Sequence, residues 1–193
     1  MSTKENLIAS GAKLIAKTGY EGVSVRKICA DADTTMNMIH HFFGSKHGLL
    51  EAIVDKFNDS VFEPCLVILE SQVDSKKEFE EVFKKLFEKS LEAYLENREI
   101  LLVVIREEAN PKSMVKYLKK VTEFFREGQK KGYVRDSIDV EMISGFMNDR
   151  IINQAQFAPW VKKAWGVDVY KDKKYREQWC ASSIDLILRG LMT

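Results

Sequence analysis

The three histidines of this 193-residue chain lie close together, at His40, His41 and His47. Clustered imidazoles can indicate a metal site, a catalytic base or a pH-sensitive contact. Two helical metal ligands share a face only at a spacing of three or four residues, whereas adjacent residues diverge by about 100°. No cysteine or acid completes a ligand set around the histidines. We therefore expect no metal and no cofactor, and a metal- or haem-responsive sensor stays the weaker alternative.

The chain also lacks the short motifs that carry most catalytic mechanisms. It contains no G-x-S-x-G, P-loop, dinucleotide-binding fingerprint or H-E-x-x-H. A hydrolase built on His40 or His41 would have only Ser45 and Asp33 near it along the chain, and nothing positions them. Acidic runs such as KKEFEEVFKK are typical of solvated helix faces. We predict that the chain is not an enzyme and has no catalytic residues.

Composition favours a packed helical protein. Apolar residues make up 45% of the chain and only three residues are proline, so a real core can form. The net charge is only +1, which means that any nucleic-acid contact must be local. Three separate cysteines without a C-x-x-C favour a reduced, cytoplasmic setting, and the longest apolar run is too short for a membrane span. We expect a cytoplasmic protein without a membrane partner.

Apolar residues recur with a helical period along most of the chain. Short helices are expected over the first fifty residues, which is the size and rhythm of a helix-turn-helix head. The residues expected to start or stop these helices are Gly19, Ser24, Asp33, Thr34 or Thr35, Gly44 and Ser45.

Longer helices are expected in the rest of the chain. One covers residues 76–97, and the next, over 98–109, carries ILLVVI and is expected to be buried on every side. Pro111 suits the first turn of the helix that follows. Two more helices are expected at 139–157 and 174–191, with an irregular aromatic segment between them. The expected fold is all-α, with an N-terminal three-helix helix-turn-helix DNA-binding domain (1–46) joined by a fourth helix to a larger helical effector-binding and dimerisation domain (47–193).

The segment TTMNMIHHFF has the properties of a recognition helix. Ile39 and Phe43 are four residues apart and would anchor one face of the helix in the core. Hydroxyl, amide and imidazole groups on the other face can bond to phosphates or base edges. Lys46 begins the next helix, where a cation and free backbone N–H groups would bind a phosphate. The residues left to face DNA are Thr34, Thr35, Met36, Asn37, His40 and His41.

From Ile8 to Leu50 the sequence resembles the TetR family of transcriptional repressors. The resemblance lies in TGYEGVSVRKIC and in IHHFFGSKHGLL. It implies a head that binds operator DNA as half of a homodimer and a body that binds a small effector. It places Ser24 and Arg26 at the helix that contacts the DNA backbone, the segment from Thr34 to His41 on the recognition helix, and Lys46 at a phosphate. The chain departs from the family pattern at Asp33, Asn37, His40 and His47.

Two further sites are expected in the body. Helical bundles hold ligands between their helices in mostly apolar pockets. The candidate ligand-binding residues are Phe83, Phe87, Arg106, Phe124, Phe125, Met147, Asn148 and Trp160, although a stripe of this kind can also be simple core. Apolar stripes on the last two long helices suggest a two-fold dimer interface, the alternative being packing within one chain. The candidate interface residues are Ile143, Ile151, Cys180, Ile184, Ile187, Leu188 and Leu191.

Together these observations predict a ligand-responsive, sequence-specific DNA-binding regulator. We expect a homodimeric repressor that a small-molecule effector releases from a near-palindromic, double-stranded operator. The alternative is a helical small-molecule-binding or protein-interaction module without DNA binding. Because imidazoles near phosphates gain protons more readily, operator affinity is expected to rise as the pH falls from about 7.5 to 6.

Overall fold

The computed structural model describes residues 2–109 and 112–193, and within these ranges the chain is almost entirely helical. The only β-type pairing among them is a single antiparallel bridge between Val134 and Met192. None of the helices in this part of the chain is both long enough and apolar enough to cross a membrane. The prediction of an all-α fold is confirmed.

The helices follow one another with short connections. In chain order they are α1 (Thr3–Thr18), α2 (Val25–Asp31), α3 (Met36–Phe43), α4 (Lys46–Phe57), α5 (Glu63–Ile68), α6 (Lys76–Glu96), α7 (Arg98–Arg106), α8 (Lys112–Lys130), α9 (Val140–Gln156), α10 (Ala158–Trp165) and α11 (Lys173–Leu191). A π-helical turn, Asn58–Phe62, separates α4 from α5. Pro111, expected in the first turn of a helix, lies outside the described residues. The segment that we expected to be irregular before α11 contains α10, so that expectation is wrong.

Local chemistry explains where the first helices begin and end. The hydroxyl of Ser24 accepts a hydrogen bond from the backbone N–H of Lys27, and Ser45 does the same for Gly48 at the start of α4. Gly19 and Gly44 end α1 and α3 with φ angles of 83° and 73°, which glycine adopts without strain. These predicted starts and stops are confirmed.

The chain packs into two compact units. The first comprises Met1–Ser60 and Asn97–Lys112, and the second comprises Val61–Glu96 and Ser113–Thr193. The first unit therefore extends beyond the boundary expected at residue 46, because α4 and α7 both pack on α1. The functional division at residue 46 stays a prediction, since packing does not test where DNA binding ends.

The core of the first unit forms around α1. Leu7 and Ile15 of α1 are completely buried, as are Ile28, Ile39 and Leu49 on the next three helices. Helix α1 approaches α4 closely at Gly11, where an added Cβ would lie 3.1 Å from the side chain of Leu49. The small core expected for a helix-turn-helix head is thus present.

Helix α7 differs in one respect from the expectation that it is buried on every side. Val103 is completely buried, but Ile105 is 39% exposed and the helix ends at Arg106. The apolar run therefore has one face that meets solvent.

The second unit is built around α6. Phe83, Leu86 and Phe87 of this helix are completely buried, together with Phe125 of α8 and Met147 of α9. It packs more extensively against α9 than against α5 or α11. Aromatic side chains thus form much of this core, as the stripe along 76–97 indicated.

Candidate nucleic-acid interface

The turn between α2 and α3 has a defined geometry. Asp33 takes a φ of 50°, a left-handed conformation that Asp tolerates better than most residues. The backbone N–H of Thr34 donates to the carbonyl of Cys29 at 2.9 Å and closes the turn. Lys13 of α1 binds the carboxylate of Asp31 at the end of α2, 2.7 Å away. Hydrogen bonds from Lys13 and Ser10 lower the pKa of Asp31 below its ordinary value.

The two faces of α3 differ in exposure. Ile39 is completely buried, whereas Met36 is 52% exposed and Asn37 is also exposed. The hydroxyl of Thr35 makes no capping hydrogen bond to the helix, so it is free to contact a ligand. Phe43 is half-buried and therefore a weaker anchor than we expected. The residues of this segment that were expected to face DNA are Thr34, Thr35, Met36, Asn37, His40 and His41. All of them are exposed except Thr34, which is half-buried.

The histidines do not converge on one point. The Nδ1 atom of His40 lies 3.0 Å from the carbonyl oxygen of Gly44, which can only accept, so Nδ1 carries the proton. His47 lies on α4, with Nε2 3.8 Å from a carboxylate oxygen of Glu51. Over residues 2–109 and 112–193, no group of three or more histidine, cysteine or acidic side chains is placed to hold a metal ion. The hydrogen bond to Gly44 thus fixes the orientation of the His40 ring, and in the neutral ring Nε2 is the nitrogen that can accept a hydrogen bond.

The helix before α3 offers two further groups. Ser24 and Arg26 are both exposed at the start of α2. The Ser24 oxygen already accepts the N–H of Lys27 at 3.3 Å, but its O–H remains able to donate. Both residues are therefore accessible to a DNA backbone.

Lys46 is the first residue of α4, as expected, but its ammonium group is not free. Its Nζ atom donates to the backbone carbonyl of Tyr20 at 2.5 Å and lies 4.1 Å from the centre of the Tyr20 ring. The backbone N–H of Tyr20 donates in turn to Oε1 of Glu107, 2.9 Å away. From the sequence we expected Tyr20 only in the core of the head, and we did not connect Tyr20 or Glu107 with Lys46. No local pattern connects two residues that are 87 positions apart.

Five of the eight expected ligand-binding residues are buried in the core of the second unit. Phe83, Phe87, Phe125 and Met147 are completely buried in the core of the second unit. Asn148 is also buried there. Its side-chain oxygen accepts the hydroxyl hydrogen of Tyr94 at 3.0 Å. These side chains fill the interior instead of lining an open space.

The other three candidates have different surroundings. Phe124 stacks on Phe79 with 4.3 Å between ring centres, and both border a depression of about 290 Å³ with Tyr133. Trp160 is 64% exposed on α10. Arg106 belongs to the first unit, where its guanidinium lies 3.3 Å from the carbonyl of Lys17. The role of Arg106 as a polar anchor for a ligand stays a prediction.

The expected dimer stripe also needs correction. Most of it is buried within the single chain: Ile151, Cys180, Ile184, Ile187 and Leu191. Burial raises the pKa of the Cys180 thiol to about 11. Ile143 and Leu188 are half-buried. The stripe is buried because α9 and α11 both pack on α6, so the apolar stripes of these two helices face inward.

The same two helices carry large apolar side chains on other positions. Met142 is 70% exposed and Phe146 is 54% exposed on α9, one helical turn apart. Leu186 on α11 is 71% exposed. Met142 and Phe146 adjoin one another on one face of α9, and adjoining exposed apolar side chains can mark an interaction surface.

Comparison with known proteins supports the assignment of the N-terminal helices as a DNA-binding head. Residues 7–53 match the family model described as "Bacterial regulatory proteins, tetR family". The chain is 30% identical over 88 residues to YttP of Bacillus subtilis, named as an HTH-type transcriptional regulator, a match that spans 46% of this chain and 42% of that protein. It is 23% identical over 175 residues to the HTH-type transcriptional repressor KstR2 of Mycolicibacterium smegmatis, covering 85% of this chain and 79% of that protein.

Similarity of structure extends over the whole chain. The solved structure of the ketosteroid transcriptional regulator KstR2 of Mycobacterium tuberculosis matches with a TM-score of 0.76 at 20% identity, covering 100% of this chain and 96% of that chain. At this identity the match establishes the fold. Taken with the matched head and the named relatives, it leads to one conclusion. Residues 7–53 form a DNA-binding head of the TetR type, and the protein is a DNA-binding transcriptional regulator like the relatives that it matches.

Proposed function

We propose that the protein is a homodimeric repressor that binds a near-palindromic operator through α3 and leaves it when a small molecule binds the second unit. The observation that carries this proposal is the division of α3 into a face anchored by Ile39 and an exposed face with Thr35, Asn37 and His41. A helix that is fixed on one side and polar on the other can enter the major groove without losing its core contacts.

The side chains divide into two roles. Asn37 can make a bidentate contact with adenine, and Thr35 and His41 can bond to neighbouring base edges. Ser24, Arg26 and Lys46 would hold phosphates, which fixes the register of the helix without reading sequence. Thr34, Met36 and His40 border the same surface. Such a division predicts sequence preference from α3 and salt-dependent affinity from the phosphate contacts.

We place the dimer interface on the exposed apolar positions of α9 and α11. Met142, Phe146 and Leu186 support this assignment because they are large, exposed and carried by two long helices. Two such helices from each chain can close a four-helix interface about a two-fold axis. Because a two-fold dimer presents two copies of α3, it would place them in successive major grooves about 34–36 Å apart.

We place the effector in the second unit and expect it to be apolar. The depression bordered by Phe124 and Tyr133 supports this choice, since aromatic rings favour a planar or hydrophobic compound. Lys120 and Glu123 line the same depression and would meet polar groups of the compound. KstR2, whose structure is similar over the full chain, is described as a ketosteroid transcriptional regulator, and a ketosteroid is such a compound. The regulator would act in the cytoplasm, where operator DNA is found.

Selection from random duplexes tests the proposed mode of DNA binding. The purified protein is incubated with a pool of randomised double-stranded DNA at moderate salt, and bound duplexes are amplified and sequenced. We expect a single near-palindromic sequence to be enriched. Adding a panel of apolar compounds to the bound complex is then expected to release it. A pool without any enriched sequence would favour a helical ligand-binding or interaction module that does not read DNA.

A further inference from the structure

The backbone of Tyr20 is held from both sides. Its N–H donates to the Glu107 carboxylate at 2.9 Å, and its carbonyl accepts from the Lys46 ammonium at 2.5 Å. The side chain takes part as well, because the ammonium lies 4.1 Å from the ring centre, within the range of a cation–π contact. One residue thus connects the end of α7 to the start of α4, and all of these residues belong to the first unit.

From this geometry we propose that Tyr20 and Glu107 are positioning residues for DNA binding, which hold the Lys46 ammonium where it meets a phosphate. The inference rests on the phosphate contact proposed for Lys46. Neither Tyr20 nor Glu107 touches the DNA. Both act through the place and orientation of the lysine.

The end of α7 is well suited to this role. Arg106, which directly precedes Glu107, directs its guanidinium at the carbonyls of Ala16 and Lys17, 3.4 and 3.3 Å away. Gly19 lies beneath it, and an added Cβ there would be 3.1 Å from Nε of Arg106. Two consecutive charged residues at the C-terminal end of α7 therefore hold the last turn of α1 and the loop after it, which fixes the Tyr20 carbonyl to which Lys46 donates.

Holding Lys46 in this way favours phosphate binding for a physical reason. A free lysine side chain loses much rotamer freedom when it binds, which weakens the contact. The ammonium has three N–H groups, and only one is used by the Tyr20 carbonyl. An ammonium that is already fixed beside the α4 N-terminus loses less freedom when a phosphate arrives, so the complex is tighter.

Three single variants separate the hydrogen bond from the charge. Glu107→Ala removes the acceptor for the Tyr20 N–H, Glu107→Gln keeps an acceptor oxygen without the charge, and Glu108→Ala removes the charge of an exposed neighbouring carboxylate. Affinity is measured by fluorescence anisotropy on the selected operator duplex, and circular dichroism melting shows that each variant is folded. Loss of a negative charge alone strengthens DNA binding, so any weakening by Glu107→Ala cannot come from charge.

We expect Glu107→Ala to bind the operator about fivefold more weakly. The variant loses a hydrogen bond to a charged group, and only part of that loss reaches the contact between Lys46 and the phosphate. Glu107→Gln should recover most of the affinity, and Glu108→Ala should bind at least as tightly as the parent. In a Lys46→Ala background the effect of Glu107→Ala should vanish, because the lysine that it positions is gone.

The same measurements distinguish two failures. If Lys46→Ala alone leaves affinity unchanged, the phosphate contact is wrong and the positioning role falls with it. If Lys46→Ala weakens binding but Glu107→Ala does not, or weakens it equally with and without Lys46, only the positioning role is overturned. If Glu107→Ala does not fold, Glu107→Gln is compared with the parent in the presence and in the absence of Lys46. A loss of affinity that requires Lys46 supports the proposal, and an equal result with and without Lys46 overturns it.

Discussion

Replacing Ile39 with alanine is expected to destabilise the first unit by about 2–4 kcal/mol. Ile39 is completely buried where α3 packs on α1, α2 and α4. The substitution removes three carbon atoms, and each buried methylene contributes about 0.8 kcal/mol, so transfer alone accounts for roughly 2.4 kcal/mol. A cavity adds to this cost, because the surrounding helices relax only in part. Met36→Ala is the matched control. Met36 lies on the same helix, is 52% exposed, and its replacement should change stability by less than about 0.5 kcal/mol.

Native-state hydrogen exchange is the appropriate assay for this comparison. The three tryptophans, Trp160, Trp165 and Trp179, all belong to the second unit, so tryptophan fluorescence does not report on the head. Amide exchange in peptides from α1 to α4 measures the free energy of opening of the first unit directly. Peptides from α6 should exchange at the same rate in both variants and in the parent.

The comparison has a clear refuting result. If Met36→Ala destabilises the head as much as Ile39→Ala, then α3 does not have one buried and one exposed face. The side chains offered to DNA would then be a different set, and the assignment of Thr35, Asn37 and His41 would fail with it.

Three other predictions concern the phosphate contact, the dimer and pH. Lys46→Ala should weaken binding to all duplexes alike and reduce the slope of log affinity against log salt by about one unit, measured by anisotropy titrations from low to moderate salt; an unchanged slope contradicts the phosphate role. Phe146→Asp should convert the dimer to a monomer in sedimentation velocity, because a carboxylate would be buried at the centre of the interface. The control variant Trp160→Asp should remain a dimer. A dimeric Phe146→Asp protein would place the interface elsewhere. Operator affinity should rise as the pH falls from about 7.5 to 6, since a protonated imidazole beside a phosphate is favoured, and His40→Tyr should reduce this response; an equal response in both proteins would show that His40 is not its source.

The head of the protein could be predicted from its sequence because local rules decide it. A serine oxygen caps the helix that begins after Ser24 and again after Ser45, and glycine ends α1 and α3 where φ must be positive. Ile39 could be assigned to the core because the spacing of apolar residues on so short a helix leaves few alternatives. These features depend on residues no more than a few positions apart.

The body was predicted less well because periodicity identifies a buried stripe without identifying its partner. Ile184 and Ile187 were expected to face a second chain, but they are buried within their own chain. The positions now assigned to the dimer, such as Phe146 and Leu186, lie outside that stripe. Helix α10 was missed because its two aromatic residues, Trp160 and Trp165, are exposed and do not form a clear apolar face.

Contacts between distant parts of the chain could not be predicted at all. Arg106 was expected to be a polar anchor for a ligand, and in the structure its guanidinium lies near carbonyls of α1 about 90 positions earlier. The hydrogen bond between Tyr20 and Glu107 is of the same kind. Nothing in the local sequence of either residue indicates its partner, which only the packing of α7 on α1 brings within reach.

The central claim is that the exposed face of α3 reads base sequence. The most direct test is the ratio of the affinities for the selected operator and for a scrambled duplex of equal length, at physiological salt. The parent protein should prefer the operator by about 10³ or more. Replacing Thr35, Asn37 and His41 together with alanine should bring this ratio close to one while leaving the affinity for the scrambled duplex nearly unchanged. A parent ratio near one, or a triple variant that keeps the full preference, would contradict the claim.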